Sequence, residues 1–339
     1  MNSYIIRNDE SIYAIYCENN CIRQRKRIDS KWSKAETIAT NVGGSFSLMH
    51  SNSKEPIILY QDNKGNLMLT NNDNPHKMVL RNTSEIKTLL HINGIVSDNT
   101  IRIFYNKDYI NESYLTEQHR RDDGSWSKPF ALDNYVSDEN MTKLIRLENN
   151  YILFYSKKVP EQQIGYREIS PYSIGDFKML YATGYKILDY SLAVTSEEIH
   201  IAIVTGTNRN NKLLYIKKDK NGISKAKTIY DGFVKNCHIS ILNSKIIIIF
   251  NTITGNSRIT SYDMGNSFRR IEGIEHFTFN KTIFADYTRQ IADNFVATEL
   301  LSDINFPYDA KYCPFINNSD NEVEKLKKEI ERLKNIAKM

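Results

Sequence analysis

Residues 143–155 read KLIRLENNYILFY, which is a short apolar strand, a polar turn and a second apolar strand ending in an aromatic residue. The apolar phrase that closes this stretch recurs through the chain. Its copies are Ala14-Ile15-Tyr16, Ile58-Leu59-Tyr60, Ile103-Phe104-Tyr105, Leu153-Phe154-Tyr155, Ala202-Ile203-Val204 and Ile248-Ile249-Phe250. Successive copies begin 44, 45, 50, 49 and 46 residues apart. A nearly fixed period of this length indicates a repeat architecture.

Each repeat contains four strand-like segments. The apolar phrase is the second of them, and a more amphipathic third strand follows it. The fourth strand comes after a turn that shares a Ser-Lys phrase in three repeats: Trp32-Ser33-Lys34, Trp126-Ser127-Lys128 and Ile223-Ser224-Lys225. Four antiparallel strands in a radially repeated unit are typical of a β-propeller. We therefore predict an all-β propeller of six four-stranded blades at residues 3–41, 45–82, 87–133, 142–183, 187–231 and 236–274.

The remaining residues divide into a closing segment, a linker and a helix. Residues 276–316 do not fit the blade pattern. We expect this segment to close the ring, so that the propeller spans 1–316; a seventh, degenerate blade is the alternative. Residues 317–321 form a polar linker, and 322–339 are predicted to be a coiled-coil helix. Its apolar positions follow a heptad pattern: Val323, Leu326, Ile330 and Leu333. This predicts a homo-oligomer held by the helix, the alternative being a surface helix packed on the propeller.

The composition restricts the class of protein. The chain has 339 residues, 40% of them hydrophobic, and a formal net charge of +5. Acidic and basic residues are interleaved, and the cations of Arg23–Arg27 lack interleaved aromatic residues, which argues against nucleic acid. No apolar run is long enough to span a bilayer, and no secretory signal is visible. We expect a cytoplasmic protein by default, or one displayed on a surface by a route that the sequence does not encode.

Four cysteines do not suggest a disulfide scaffold. Cys17 and Cys21 flank a hairpin tip, where they would form either a cross-strand disulfide, half of a metal site or two free thiols. A zinc site would need two more ligands at a matching spacing, and Cys237 and Cys313 stand alone. We predict free thiols, no metal and no cofactor.

One turn resembles a known family motif. Residues 261–268 read SYDMGNSF, which resembles the Asp box of sialidase-like propellers, Ser-x-Asp-x-Gly-x-Ser/Thr-Trp/Phe, in the turn between third and fourth strands. Asp122–Trp126 and Asp219–Gly222 look like shortened versions. The likeness is to bacterial six-bladed propellers, and it implies a fold rather than an activity. An active sialidase would imply an Arg-Ile-Pro phrase on the first inner strand, where this chain has Ile6-Arg7-Asn8-Asp9.

Two sets of residues are candidates for ligand binding. Arg7, His50, His91 and Arg146 lie on predicted inner strands, where they could converge on an anionic ligand in the axial channel or simply fill it. Trp32 and Trp126 are the only tryptophans. The phrase Asp123-Gly124-Ser125-Trp126-Ser127 is similar to one that recurs in lectin-type propellers, in which aromatic rings between blades stack on sugars. Packing between blades is the alternative for both tryptophans.

We therefore predict a non-enzymatic binding module. Its ligand is a glycan or a protein surface, and the module is presented as an oligomer. The alternative is a glycoside hydrolase or lyase with an axial active site. Glycoside hydrolysis uses a pair of carboxylates, and the predicted inner strands supply only Asp189.

Overall fold

In the computed structural model, the residues that the structure describes form strands and turns and include no helix. They are 3–7, 11–28, 31–49, 56–71, 77–81, 90–97, 100–109, 112–121, 123–134, 136, 142–147, 150–195, 197–207, 210–242, 244–271, 281–286 and 291–297. Among these residues no helix could cross a membrane. The predicted closing segment lies only partly within the described residues, and the linker and the helix at 317–339 lie outside them.

The first three blades are formed by thirteen strands, β1 to β13. Blade 1 comprises β1 (Ser3–Arg7), β2 (Ile12–Glu18), β3 (Cys21–Ile28), β4 (Lys31–Trp32) and β5 (Glu36–Ala39). Blade 2 comprises β6 (Val42–Met49), β7 (Ile57–Asp62), β8 (Leu67–Thr70) and β9 (Lys77–Leu80). Blade 3 comprises β10 (Leu90–Ser97), β11 (Thr100–Tyr109), β12 (Glu112–His119) and β13 (Phe130–Asp133).

The next thirteen strands form the other three blades. Blade 4 comprises β14 (Lys143–Leu147), β15 (Asn150–Lys157), β16 (Gln162–Ile169) and β17 (Lys178–Thr183). Blade 5 comprises β18 (Lys186–Thr195), β19 (Ile199–Gly206), β20 (Asn211–Asp219), β21 (Gly222–Ile223) and β22 (Lys227–Asp231). Blade 6 comprises β23 (Cys237–Leu242), β24 (Lys245–Thr252), β25 (Gly255–Ser261) and β26 (Arg269–Ile271). The prediction of a six-bladed all-β propeller is confirmed.

The Ser-Lys phrase has the same structural role in three blades. In each one the serine hydroxyl accepts the N–H of a residue on the third strand, and the serine N–H donates to the carbonyl of that residue. The pairs are Ser33 with Lys26, Ser127 with His119, and Ser224 with Lys217, with hydroxyl contacts of 3.0, 3.0 and 2.9 Å. This pair of hydrogen bonds fixes the position at which the chain turns toward the fourth strand, which explains why the phrase recurs.

Blades are held together by apolar layers between neighbouring sheets. The second strands are buried on both faces because their side chains point alternately toward the preceding and the following blade. In blade 4, for example, Leu153 and Tyr155 pack toward blade 3, whereas Ile152 and Phe154 pack toward blade 5. This alternation explains why the apolar phrases are continuous runs rather than alternating ones.

A further hairpin lies among the innermost strands at the centre of the ring. Its strands are β27 (Lys281–Asp286) and β28 (Ile291–Ala297). β27 pairs in parallel with β1, and β28 pairs with β18 and also contacts β14 and β23. A continuous hydrogen-bonded path therefore runs from blade 5 through the hairpin to blade 1. Thr282 and Phe284 are fully buried there.

Candidate functional site

The third strand of blade 1 places its arginines on one face. Arg23 and Arg25 are directly opposite Tyr16 and Ala14 in the sheet, whereas Ile22 packs toward blade 2. Because side chains alternate along a strand, Arg23, Arg25 and Arg27 all point away from blade 2. In a closed ring this face is turned toward blade 6. We call it the closing face of blade 1.

Two of the residues predicted from sequence lie in one row on the closing face. Arg7 pairs with Ile12, one step beyond the pair of Tyr13 with Lys26, and Arg27 pairs with Trp32. Arg7, Arg27 and Trp32 therefore follow one another from the inner strand to the outer strand. All three are partly buried. Their planar guanidinium and indole groups can donate hydrogen bonds to a polar ligand and stack against its flat face.

In blades 3 and 4 the position of Arg25 is occupied by side chains that form hydrogen bonds within the protein. In blade 3 the equivalent residue is Gln118, which accepts from Tyr105 Oη at 2.7 Å and donates to the Ser127 carbonyl at 2.9 Å. In blade 4 it is Arg167, described below. No such bond is made by Arg25, although Tyr16 and Ser33 stand at the matching places. Blade 1 thus has an arginine where blades 3 and 4 have a side chain that is hydrogen-bonded within the protein.

The other predicted residues lie elsewhere. Trp126 packs into the apolar layer between blades 2 and 3. Arg146 pairs with Tyr151 on the face of blade 4 that meets blade 3. His91 is the second residue of its inner strand, whereas Arg7 is the last and Arg146 the last but one of theirs. His91 therefore lies at the other end of the inner strands from Arg7 and Arg146. His50 lies outside the described residues. The structure therefore joins Arg7 with Trp32 and separates both from Trp126, His91 and Arg146.

A charged group that sequence reasoning missed lies between blades 3 and 4. Glu117 Oε1 is 3.3 Å from Arg102 Nε and 3.1 Å from His119 Nδ1. Burial lowers the pKa of Arg102, against the opposing effect of Glu117. Both members of the ion pair are buried, whereas 39% of the His119 side chain is exposed. Burial also raises the pKa of Tyr151 on the facing blade, and the charge of Arg146 opposes that rise.

A second group braces the same interface. Asp133 of blade 3 accepts from Lys157 Nζ and Arg167 Nη2, each at 2.8 Å, and from the hydroxyl of Tyr155. Burial alone would raise the pKa of Asp133, but these hydrogen bonds outweigh it and lower the pKa. Arg167 also donates to the Gly175 carbonyl. Tyr155, Lys157 and Arg167 all donate to Asp133. The cluster therefore stabilises the contact between blades 3 and 4.

A third buried network joins blade 5 to the turn of residues 261–268. His200 Nδ1 is 2.6 Å from Tyr215 Oη, and its Nε2 is 3.0 Å from Glu198. Burial lowers the pKa of His200 to about 4, so the imidazole is neutral at pH 7. The Tyr215 ring packs edge-on against Phe268, with centroids 4.7 Å apart.

In that turn the Asp263 carboxylate accepts from the hydroxyl of Ser267 at 2.6 Å and from its N–H at 2.8 Å. It also accepts from the Ser261 hydroxyl at 2.7 Å. These bonds, with the Ser267 hydroxyl as the largest cause, lower the pKa of Asp263 to about 2. Because both oxygens of the Asp263 carboxylate accept hydrogen bonds within the turn, we assign this group a structural role.

Asp189 has a structural role, and the two cysteines of the first hairpin are not paired with each other. Asp189 accepts the N–H of Cys237 at 2.9 Å and so joins the inner strands of blades 5 and 6. Cys17 pairs with Ile22, and Cys21 pairs with Glu18. Since directly opposed residues share a face, the two thiols lie on opposite faces of the hairpin, and both are free. No group of metal-ligating side chains is found among the described residues.

Several solved structures share the fold. An ulvan lyase of a new polysaccharide lyase family, bound to -[GlcA(1-4)Rha3S]-, matches with a TM-score of 0.55 and 12% identity over 83% of this chain and 84% of that chain. A prolyl endopeptidase matches with a TM-score of 0.52 and 10% identity over 88% of this chain and 46% of that chain. A mutant of the Aleuria aurantia lectin in complex with Fucalpha1-6GlcNAc has a TM-score of 0.43, 13% identity and coverage of 82% and 97%. No family model and no curated protein matches the sequence. At these identities the likeness to the two structures with TM-scores above 0.5 shows the fold alone.

Proposed function

We propose that this propeller is a non-enzymatic binding module for glycans and that the closing face of blade 1 is its binding surface. The observation that carries the proposal is the row of Arg7, Arg27 and Trp32 on one face. An indole ring suits the C–H face of a sugar, and guanidinium groups donate to its hydroxyls. The structurally similar ulvan lyase is bound to a saccharide, which supports saccharide binding at the level of the fold for both this module and the lyase alternative below.

No carboxylate pair is found among the described residues of this face, which favours binding over hydrolysis. Among the described residues of the closing face, Glu18 is the one carboxylate, and its Oε2 is 3.2 Å from Arg23 Nε. Glycoside hydrolysis commonly requires two carboxyl groups on either side of the scissile bond. A glycan bound here would therefore be held without being cleaved.

A lyase is the second candidate, and the group of Arg102, Glu117 and His119 is the observation that favours it. Glu117 orients an exposed imidazole, as a general base requires, and Arg146 adds a cation on the facing blade. We place this alternative between blades 3 and 4 because the β27–β28 hairpin occupies the axis. A glycan array run beside an assay for unsaturated sugar products distinguishes the two candidates. Binding without product supports the module, and steady product formation that His119→Ala abolishes overturns it.

The two tryptophans form a matched pair of test positions. Trp32→Ala is expected to weaken glycan binding by about tenfold or more, because an aromatic anchor is lost from the ligand surface. Trp126→Ala is expected to leave affinity unchanged but to lower the free energy of unfolding by about 2–4 kcal/mol, since its ring packs between blades 2 and 3. Glycan titration and urea unfolding of both variants test this. If Trp126→Ala weakened glycan binding and Trp32→Ala lowered only the free energy of unfolding, the binding site would lie at Trp126 instead.

We also propose that the protein is presented as a homo-oligomer through residues 322–339, because linked weak sites gain apparent affinity through effective concentration. Replacing Leu326 and Ile330 by serine removes apolar heptad positions. The expected result in light scattering is a fall to monomer mass with the thermal transition of the propeller retained. A parent protein that is already monomeric at high concentration, or a double variant in which the propeller unfolds, contradicts the oligomer.

A further inference from the structure

Several polar atoms on the two faces that close the ring are buried without a hydrogen-bond partner. Three of them are Arg25 Nε in blade 1, and Arg258 Nε and Thr260 Oγ1 in blade 6. Thr260 is only 1% exposed. Buried polar groups in folded proteins almost always have a partner, and each exception requires an explanation. Two further arginines with a buried Nε of this kind, Arg23 and Arg102, each have a carboxylate within ion-pair distance.

Closure of a six-bladed ring turns the three side chains toward each other. Arg258 and Thr260 are directly opposite Ile249 and Ile247 on β24. Ile248 and Ile259 pack toward blade 5, so Arg258 and Thr260 are on the face turned away from blade 5. In a six-bladed ring that face meets the closing face of blade 1.

Their positions along the blades also correspond. β3 and β25 are both third strands, so they lie at the same distance from the axis. Ile15 and Ile249 are equivalent residues of the apolar phrases, and they pair with Gln24 and Arg258 respectively. Arg25 therefore lies at the level between Arg258 and Thr260 on the opposing strand.

Positive charge is in excess on these two faces. The closing face carries Arg7, Arg23, Arg25 and Arg27, and the facing side of blade 6 adds Arg258. Among the described residues of both faces Glu18 is the one carboxylate, and it is committed to Arg23. Asp286 of the central hairpin is in register with Arg7. The carboxylates of the described part of the chain thus leave Arg25 and Arg258 without a counter-charge.

We propose that Arg25, Arg258 and Thr260 form an oxyanion site, and that the glycan bound by this propeller carries a sulfate or carboxylate group which this site receives. The inference rests on the proposed function. Two guanidinium groups and a hydroxyl donate to a tetrahedral or planar oxyanion with charge-assisted hydrogen bonds. The anion satisfies the three buried groups at once, and the row of Arg7, Arg27 and Trp32 holds the sugar that bears it.

The test uses the full-length chain and one glycan backbone in sulfated, uronate and neutral forms, with inorganic sulfate and single-stranded DNA as further probes. Arg25→Gln and Arg258→Gln remove one cation each. The matched control is Arg120→Gln, which alters the residue equivalent to Arg27 in blade 3. There Arg120 pairs with Trp126, and its Nε donates to the Gly124 carbonyl.

We expect the acidic glycan to bind, and each site variant to lower its affinity by about tenfold or more, with the control within twofold. The ligand-free site variants should melt no earlier than the parent, because the buried Nε of the arginine lost has no hydrogen-bond partner. A purely structural arginine would lower the melting temperature instead.

Other outcomes separate the two proposals. Equal binding of neutral and acidic forms, unaffected by Arg25→Gln, overturns the oxyanion site and leaves glycan binding standing. The absence of binding to any glycan overturns both. Binding of inorganic sulfate or DNA alone, lost in Arg25→Gln, shows an anion site but refutes its saccharide source.

Discussion

A chain that stops after residue 280 is expected to lose the cooperative unfolding transition of the full-length propeller. The truncation removes β27 and β28, which pair with Tyr4–Arg7 of β1 and with Val194 and Thr195 of β18. It also removes Phe284, a fully buried side chain at the centre of the ring. Two inner strands would lose hydrogen-bonded partners, and the apolar centre would be exposed to water.

The matched control is a chain that stops after residue 316, which keeps the hairpin and removes the linker and predicted helix. Differential scanning calorimetry of the two truncated chains and the parent makes the comparison. We expect one sharp transition for the parent and the control, and a broad or absent transition for the shorter chain. A shorter chain that melts like the parent would show that the blades close the ring without the hairpin.

Gly265→Ala is expected to be among the most damaging single substitutions in the described chain. Gly265 has φ of 93°, and a Cβ at this position would overlap the phenol of Tyr215. Tyr215 cannot move away easily, because its hydroxyl is held by buried His200 and its ring by Phe268. We expect the free energy of unfolding to fall by about 4 kcal/mol, because an overpacking cost of about 1–3 kcal/mol adds to a backbone strain of about 1–3 kcal/mol.

Gly222→Ala is the control that separates the two causes. Gly222 also has a positive φ, 118°, but a Cβ there meets nothing within 4 Å. Its cost is therefore the backbone strain alone, about 1–3 kcal/mol. Urea unfolding of both variants measures the difference. Equal losses would show that the contact between Tyr215 and Gly265 does not hold blade 5 against blade 6.

The blades could be predicted from sequence because their pattern is local. Blade 4 is predicted at 142–183, and its strands run from Lys143 to Thr183. The path of the hairpin could not be predicted, because Ile283 meets Tyr4 across almost the whole chain. No periodicity within residues 276–316 indicates a parallel partner at the other end of the sequence.

The candidate site was partly visible in the sequence. Arg7 and Trp32 are recognisable as unusual residues, and Arg23–Arg27 as a cationic run. The alternation in this run already implied that its arginines share one face and that Gln24, 4% exposed, is on the other. What the sequence could not show is that Arg258 and Thr260 lie opposite, since that depends on how blade 6 meets blade 1. The role of Trp126 in packing likewise depends on tertiary contacts.

The central hairpin has a consequence for how the protein is made. Each blade uses one contiguous stretch of chain, so blades can form in order as they leave the ribosome. The strand that pairs with β1 is translated only after all six blades. Until then the inner edges of β1 and β18 lack these partners, and such edges are templates for pairing with other chains. The edge of β1, which ends at Arg7, therefore waits for its partner while nearly the whole propeller is synthesised, because β27 begins only at Lys281. That is the interval in which chaperones would protect it.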